Sequence, residues 1–257
     1  MIRLVYALRR APDLAREEFQ EYWRGRHGPL VAGLAGDLEL LRYVQTHTVA
    51  SPAAEAARGA RGTMEPEYDG VAELWWESES TLEDVMASAA GRAAGAALLE
   101  DERRFIDLPQ SPLWLAHEYP QVNPTPENIV ARFRSSVMRI FYPLRALPSL
   151  NDAAARRDWL TRHGPLVRSH AEAAGILCYR QVHRADHPLD AALRSSRGTQ
   201  TPPYLGHAEI WIDPSRMPVT EESRAAARAL VEDERRFVDF GRSTMSFGKE
   251  RTFVDRW

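Results

Sequence analysis

The chain has 257 residues, 44% hydrophobic and 27% charged, with a formal net charge of −3 at pH 7. This is the balance of a soluble globular protein, and it gives no reason to expect nucleic acid or an anionic membrane as partner. The one cysteine, Cys178, excludes an intrachain disulfide. Because we also find no signal peptide and no long apolar run, we expect a cytoplasmic protein.

The first 120 residues alternate between patterns typical of strands and helices. We predict, in chain order, strand Arg3–Leu8, helix Leu14–His27 with a further turn to Leu34, strands Leu41–Val49 and Tyr68–Trp76, helix Thr81–Asp107 with a break near Gly91, and strand Pro112–His117. The segment Ser51–Glu67 is predicted to be a loop with a possible short helix. The order β-α-β-β-α-β is that of a ferredoxin-like module.

The chain then repeats itself. Trp23–Val31 returns as Trp159–Val167, 136 positions later. The same spacing relates Tyr43–His47 to Tyr179–His183, Arg61–Thr63 to Arg197–Thr199, Pro66–Gly70 to Pro202–Gly206, and Glu73–Trp75 to Glu209–Trp211. Glu100–Phe105 returns as Glu232–Phe237 after 132 positions, so the second copy lacks four residues, which we place between its third strand and second helix.

The duplication divides the chain into a module at 1–119, a linker at 120–137 and a second module at 138–257. The linker is rich in proline, and we allow it a helical turn near Glu127–Phe133. Arg139–Leu144 is the second copy of the first strand, and its Pro143 suits a sheet edge or a bulge.

The residues Phe19, Tyr22, Trp23 and His27-Gly28-Pro29-Leu30-Val31, followed by Tyr43-x-Gln45, resemble the EthD family of dimeric α/β-barrel proteins. The second copy departs from this pattern at Ala155 and Asp158. The resemblance implies an α+β fold in which two ferredoxin-like βαββαβ modules pair their sheets into an intramolecular dimeric α/β barrel. The alternative is that each half pairs with another subunit, so monomer and homodimer both stay open.

Strand alternation predicts which side chains face the barrel interior, because successive residues point to opposite faces. We assign the apolar sets to the helix side and the mixed sets to the interior. The interior set is then Arg3, Tyr43, Gln45, His47, Glu73 and Trp75 in the first copy, and Arg139, Tyr179, Gln181, His183, His207, Glu209 and Trp211 in the second.

This set suggests acid–base chemistry on a small molecule. His47 and His183 are candidate general bases beside Glu73 and Glu209, and Tyr43 and Tyr179 are candidates to stabilise an enolate. The arginines, glutamines, tryptophans and His207 are candidate substrate-binding groups. With the resemblance, this indicates a lyase, dehydratase or cyclase that acts without a cofactor or metal on a polyketide-like or aromatic carbonyl compound.

Other interpretations stay open. Related barrels include monooxygenases and other oxidoreductases that use haem, a metal or no cofactor, and a non-catalytic binding barrel is a third possibility. The polar set can also be a buried network that fixes strand register. A metal at His183, His207 and Glu209 is a weaker hypothesis.

Three further features have structural or functional interpretations. His27 and His163 either complement the end of a helix or bind substrate. The Glu100–Phe105 and Glu232–Phe237 blocks are predicted to be solvated helix faces with ion pairs. Cys178 has no matching thiol in the first copy and is predicted to be a buried spectator.

Overall fold

The computed structural model describes residues 1–124 and 129–257. The first half contains, in chain order, β1 (Ile2–Leu8), α1 (Arg16–Tyr22), a π-helical turn (Trp23–His27), α2 (Gly28–Gly33), β2 (Arg42–Thr48), α3 (Pro52–Gly59), β3 (Gly70–Trp76), α4 (Glu79–Ala87), α5 (Ala89–Glu102) and β4 (Leu113–Val122). The long helix is broken at Ser88, three residues before Gly91, close to the predicted position. The Ser88 hydroxyl caps α5 by accepting a hydrogen bond from the backbone N–H of Gly91.

The second half repeats this order. It contains β5 (Met138–Leu144), α6 (Asp152–Asp158), a π-helical turn (Trp159–His163), α7 (Gly164–His170), β6 (Ile176–Arg184), α8 (Leu189–Arg197), β7 (Gly206–Ile212), α9 (Glu221–Glu234), a short 3₁₀ turn (Phe240–Arg242) and β8 (Ser246–Asp255). Between β7 and α9 a loop replaces α4. The four missing residues therefore lie where the sequence comparison places them.

The eight strands form one closed antiparallel barrel in the order β1-β3-β2-β8-β5-β7-β6-β4. Each half contributes four adjacent strands, and the halves join where β2 pairs with β8 and β4 pairs with β6. The predicted α+β fold of two ferredoxin-like modules in one intramolecular barrel is thus confirmed. Closure leaves no open sheet edge, and it gives every strand one face toward the barrel interior and one toward the helices.

The strand registers decide which residues face the interior. Val44 pairs with Glu73, and Tyr43 pairs with Leu74. Because directly paired residues share a face, Val44 faces inward and Tyr43 faces the helices. The prediction that Tyr43, Gln45, His47, Tyr179, Gln181 and His183 face the interior is therefore wrong. The other predicted interior residues do face it: Arg3, Glu73, Trp75, Arg139, His207, Glu209 and Trp211.

The connection between the halves is packed against the barrel. β4 continues through Val122, three residues into the predicted linker. The predicted helical turn near Glu127–Phe133 lies partly outside the described residues, and no helix is formed at 129–133. Ala131 instead forms two hydrogen bonds with Glu250. Its backbone N–H donates to the Glu250 carboxylate, and its carbonyl accepts from the backbone N–H of Glu250. Pro143 lies beyond the last residue pair of β5 with β8, so its missing N–H disturbs no ladder there.

In the parts of the chain that the structure describes, no helix combines the length and the apolar character that crossing a bilayer would require.

Candidate active site

A cavity of about 420 Å³ lies between the sheet of the second half and the helices that cover it. Its floor is formed by outward-facing residues of β5, β6 and β7, and its walls by α7 and α9. Helix α3 of the first half covers it, so both halves build it. Its lining is mostly aliphatic and aromatic, and its size is in the range of small-molecule sites.

Three small residues explain why this space is open. Ala53, Ala57 and Ala174 line the cavity. At the matching positions, 136 residues away, the chain has Leu189 and Leu193, on helix α8 of the second half, and Leu38 of the first half. Those three leucines pack into the core between the first sheet and its helices. The duplicated module therefore has a filled space in one half and a cavity in the other.

His163 is the polar group on the cavity wall best suited to acid–base chemistry. It ends the π-helical turn, a rare conformation that often occurs at functional sites. Its Nδ1 lies 3.0 Å from Oδ2 of Asp233, near the end of α9. The hydrogen bond from His163 holds the pKa of Asp233 below its usual value. Since Nε2 makes no hydrogen bond with the described residues, it is the ring nitrogen left for a ligand.

Tyr179 is the second polar group of this wall. Its hydroxyl accepts a hydrogen bond of 2.8 Å from Trp159 Nε1, and its own proton is left to donate. Complete burial raises the pKa of Tyr179 far above its usual value, so the hydroxyl stays protonated. The His163 and Tyr179 rings are 6.4 Å apart and nearly perpendicular. A base and a hydrogen-bond donor thus share one apolar cavity.

One known protein family matches both halves of the chain. The EthD domain family model matches residues 11–109 and 147–241, which is more than half of the chain. The chain belongs to the EthD family. Each matched segment lies within one of the two modules.

Two solved structures align with nearly the whole of this EthD protein. One is described as an anthrone oxidase-like protein and aligns with a TM-score of 0.56 at 10% identity, over 100% of this chain and 94% of that chain. This likeness shows the fold alone. The other, a protein of Lactobacillus acidophilus NCFM named as a monooxygenase by proposal, aligns with a TM-score of 0.48 at 10% identity, over 99% of this chain and 96% of that chain. No curated protein matches the chain.

Arg61 and Glu234 hold helix α3 over the cavity of the EthD protein. Their side chains form a bidentate pair at 2.7 and 2.6 Å, and Tyr142 donates to the same carboxylate at 3.2 Å. The equivalent pair joins Arg197 of the second half to Glu102 of the first, both contacts being 2.8 Å. Because the pair occurs beside both the filled space and the open one, we assign it a structural role.

The proposed bases His47 and His183 do not line this cavity. Each lies on the helix side of its strand, with ring centroids 4.5 Å from Trp23 and Trp159 respectively. Each ring hydrogen-bonds a neighbouring glutamine, at 2.9 and 3.0 Å. Burial, aided by nearby positive charges, lowers the pKa of both histidines to about 3. A ring that binds a proton so weakly is a poor base at neutral pH.

Gln45 and Gln181 have a structural explanation. Their amide groups donate to the backbone carbonyls of Trp23 and Trp159, at 2.9 and 2.8 Å. Those carbonyls lie at the π-helical turns, where the regular i→i−4 bonding is interrupted. Each glutamine therefore anchors one such turn to the sheet.

The first half keeps the histidine–carboxylate pair without the cavity. His27 Nδ1 lies 2.8 Å from Asp101 Oδ2, and Tyr22 also donates to Asp101, at 2.7 Å. In the second half the residue matching Tyr22 is Asp158. His27 thus offers a natural comparison for His163.

The barrel interior holds a buried ionic cluster. Arg3 contacts Glu73 at 3.1 Å and Glu209 at 2.6 Å, and Arg139 contacts Glu73 at 2.6 Å. Burial alone would raise the pKa of Glu209, but Arg139 and Arg3 hold it well below its usual value. His207 Nε2 is 2.8 Å from Glu209. Arg139 also contacts the buried Glu250 at 3.4 Å, so two guanidinium groups lie among three carboxylates in the space where a substrate was expected.

The same cluster contains the ligand types for a metal. Glu73, His207 and Glu209 have potential ligand atoms within 4.8 Å of one another, whereas His183 lies on the opposite face of the sheet. However, Glu73 and Glu209 already pair with Arg3 and Arg139, and a divalent ion would have to displace these guanidinium groups. The residues therefore fit an ionic cluster better than a metal centre.

The helix-side cavity also fits a haem poorly. Haem carries two propionates, but the only arginine among the lining residues, Arg61, is already paired with Glu234. The lining supplies no other arginine or lysine for the propionates.

The sequence pattern assigns Asp233 and Glu234 wrongly. It predicts a solvated helix face for Glu232–Phe237, yet Glu234 is only 6% exposed and Asp233 forms a hydrogen bond with His163. The available signal was the helical spacing, because Glu234 follows the buried Leu230 by four residues and so lies on the same face.

Proposed function

We propose that this EthD protein is a cofactor-free oxidoreductase that removes a proton from a carbon beside the carbonyl group of an apolar, partly aromatic substrate and lets the resulting carbanion react with oxygen. The observation that carries the proposal is His163 on the wall of an apolar cavity, with Nδ1 held by Asp233 and Nε2 open.

The first step is proton transfer. A substrate in the cavity presents its acidic C–H to Nε2 of His163, and the imidazole takes the proton. The Asp233 carboxylate fixes the ring through Nδ1–H and stabilises the imidazolium that forms. The Tyr179 hydroxyl donates a hydrogen bond to the enolate oxygen. The apolar lining strengthens both interactions because it excludes water.

The second step consumes oxygen. The electron-rich carbon transfers electrons to O₂ and forms a C–O bond, giving a peroxide that takes up the proton. Loss of water from this peroxide leaves a new carbonyl. In total a CH₂ group and O₂ become C=O and H₂O, so the substrate is oxidised and oxygen is reduced without a further reductant.

Two lines of support favour oxidation over the elimination or cyclisation expected from sequence. A protein of the same fold is described as anthrone oxidase-like. Moreover, the cavity has one open base, while its carboxylate, Glu234, is tied to Arg61 and Tyr142 and is not placed to protonate a leaving group.

Anthrone is a suitable first probe, because its CH₂ group lies between two aromatic rings and is acidified by the ring carbonyl. We expect the protein to consume one O₂ for each anthraquinone formed, and His163→Asn to lower kcat/KM by about 10² to 10⁴-fold. Asparagine keeps a donor for Asp233 but lacks Nε2. The matched variant His27→Asn, in the filled half, should retain the wild-type rate.

An anaerobic experiment in D₂O separates the alternatives. Deuterium incorporation at the CH₂ group that depends on His163, without oxygen uptake in air, would favour a lyase or cyclase. If neither deuterium exchange nor oxidation of anthrone depends on His163, the proposed role of this residue in carbanion formation from such ketones is wrong.

A further inference from the structure

A second cavity lies at the mouth of the barrel, on the opposite side of the sheet from His163. It has a volume of about 630 Å³, and its lining includes Arg3, Arg42, Trp75, Glu118, Arg180 and Trp257. It belongs neither to the helix-side cavity nor to the acid–base chemistry proposed above.

Two of the three arginines that line this mouth have carboxylate partners. Arg180 contacts Glu118 at 3.2 Å, and Arg3, besides its pairs with Glu73 and Glu209, contacts Glu118 at 3.6 Å. Arg42 forms no ion pair with any described residue, and its buried Nε has no hydrogen-bond partner among them. Asp255 faces Arg42 across the β2–β8 ladder, but their side chains lie beyond ion-pair distance. One cation is left with unused donors.

Aromatic rings hold this cation in place. The Arg42 guanidinium carbon lies 5.3 Å from the ring centroid of Trp75 and 5.9 Å from that of Trp257. Stacking on indole fixes the guanidinium plane and leaves the N–H groups at its edge free to bind an acceptor. A guanidinium edge matches a carboxylate with two parallel hydrogen bonds. Trp257, which is 60% exposed, offers flat apolar surface to the rest of a ligand, whereas Trp75 is buried and also has Arg3 over its ring at 5.1 Å.

We propose that the barrel mouth is a binding site for a planar aromatic carboxylate, whose carboxylate pairs with Arg42 and whose ring lies against Trp257. In the second half the position that matches Arg42 is Cys178, and the guanidinium that lies 5.3 Å from the Trp211 ring centroid belongs to Arg180 and is paired with Glu118. Among the described residues, Arg42 is therefore the stacked arginine of the mouth without an ion pair.

Isothermal titration calorimetry with 2-naphthoate tests the proposal. We expect one site per chain and a loss of affinity of about 10- to 100-fold in Arg42→Gln, because charge-assisted hydrogen bonds to the ligand disappear. Arg42→Lys keeps the charge without the planar fork and should also bind more weakly. Arg216→Gln, which removes an 86% exposed arginine side chain, controls for net charge and should bind as the wild type does.

Two further measurements locate the ligand. Ala57→Leu, which narrows the helix-side cavity, should leave naphthoate binding unchanged, and neutral 2-naphthamide should bind at least ten times more weakly than naphthoate. Equal affinity of Arg42→Gln and the wild type, equal binding of the amide, or no binding of naphthoate would each overturn the proposal. Thermal melting of Arg42→Gln shows whether the variant is folded, and Arg42→Lys provides the second test if it is not.

Discussion

Filling the helix-side cavity from helix α3 is the most informative perturbation of this protein. Ala57 lines the cavity, and its counterpart is Leu193 of α8, which packs into the filled space over the first sheet. Ala57→Leu adds three carbon atoms, each worth about 0.8 kcal/mol when buried, or about 2.4 kcal/mol together. Ordering the leucine side chain costs about 0.5 to 1 kcal/mol. We therefore expect a net gain in the free energy of unfolding of about 1.5 kcal/mol.

Urea denaturation measures this gain, and anthrone oxidation measures its functional consequence. The cavity that accepts leucine can no longer accept a tricyclic substrate, so stability should rise while turnover falls at least tenfold. The control, Leu193→Ala in the filled space, should cost about 2 kcal/mol or more and leave turnover intact. If Ala57→Leu lowers stability by the 1 to 3 kcal/mol typical of overpacking, the space beside α3 is not open to a leucine. If turnover is unchanged, the cavity is not the substrate site.

Three further outcomes follow from the described contacts. His47, whose pKa is lowered to about 3, stays neutral in the folded state while its unfolded form takes up a proton below pH 6.5. Its stabilising contribution is thus complete above pH 6.5 and is lost as the pH falls toward 3. Between pH 7.5 and pH 5.5 the free energy of unfolding should therefore fall by about 1 kcal/mol more in the wild type than in His47→Asn. Equal losses would contradict the assigned effect of burial on His47. Glu73→Gln should lower the free energy of unfolding by about 3 to 5 kcal/mol, because it leaves guanidinium charge uncompensated inside the barrel. A rise in the melting temperature of the wild type on adding Zn²⁺ or Mn²⁺ would contradict this account and show a metal centre there. Tyr179→Phe should lower kcat of anthrone oxidation about 10- to 100-fold with little change in KM if its hydroxyl stabilises the enolate, and an unchanged kcat would remove it from the mechanism.

The duplication shows how one half can specialise. Both halves keep a histidine–carboxylate pair on the helix side, at His27 with Asp101 and at His163 with Asp233. Substitution of small residues for leucines opens the space beside only one of them. Since α3 of the first half covers the cavity of the second, the two modules build the site together.

Repeats and residue patterns predicted much of this molecule. Six repeated blocks in constant order require two copies of one module, and the strand and helix patterns within each copy predict the βαββαβ order. The paired positions of Arg3, Glu73, Arg139 and Glu209 also predict a charged barrel interior, because alternation in β1 and β3 separates a charged set from an apolar one.

Strand β2 shows where the sequence was insufficient. Its two faces carry Arg42, Val44 and Thr46 on one side and Tyr43, Gln45 and His47 on the other, so both sets are mixed. A barrel strand covered by helices is buried on both faces, and burial then no longer distinguishes them. Two observations show that Tyr43, Gln45 and His47 face the helices. One is the register of β2 with β3, and the other is the contact of Gln45 and His47 with the turn at Trp23.

By itself, the sequence determined the duplication, the order of elements and the family resemblance, because these depend on residues that are neighbours along the chain or recur at a fixed spacing. Tertiary structure alone decided that the cavity is in the second half, that Asp233 holds His163, and that Arg42 has no counter-ion at the barrel mouth among the residues that the structure describes. Each of these depends on side-chain volumes or charges that distant segments of the chain bring together, and local periodicity contains no information about such contacts.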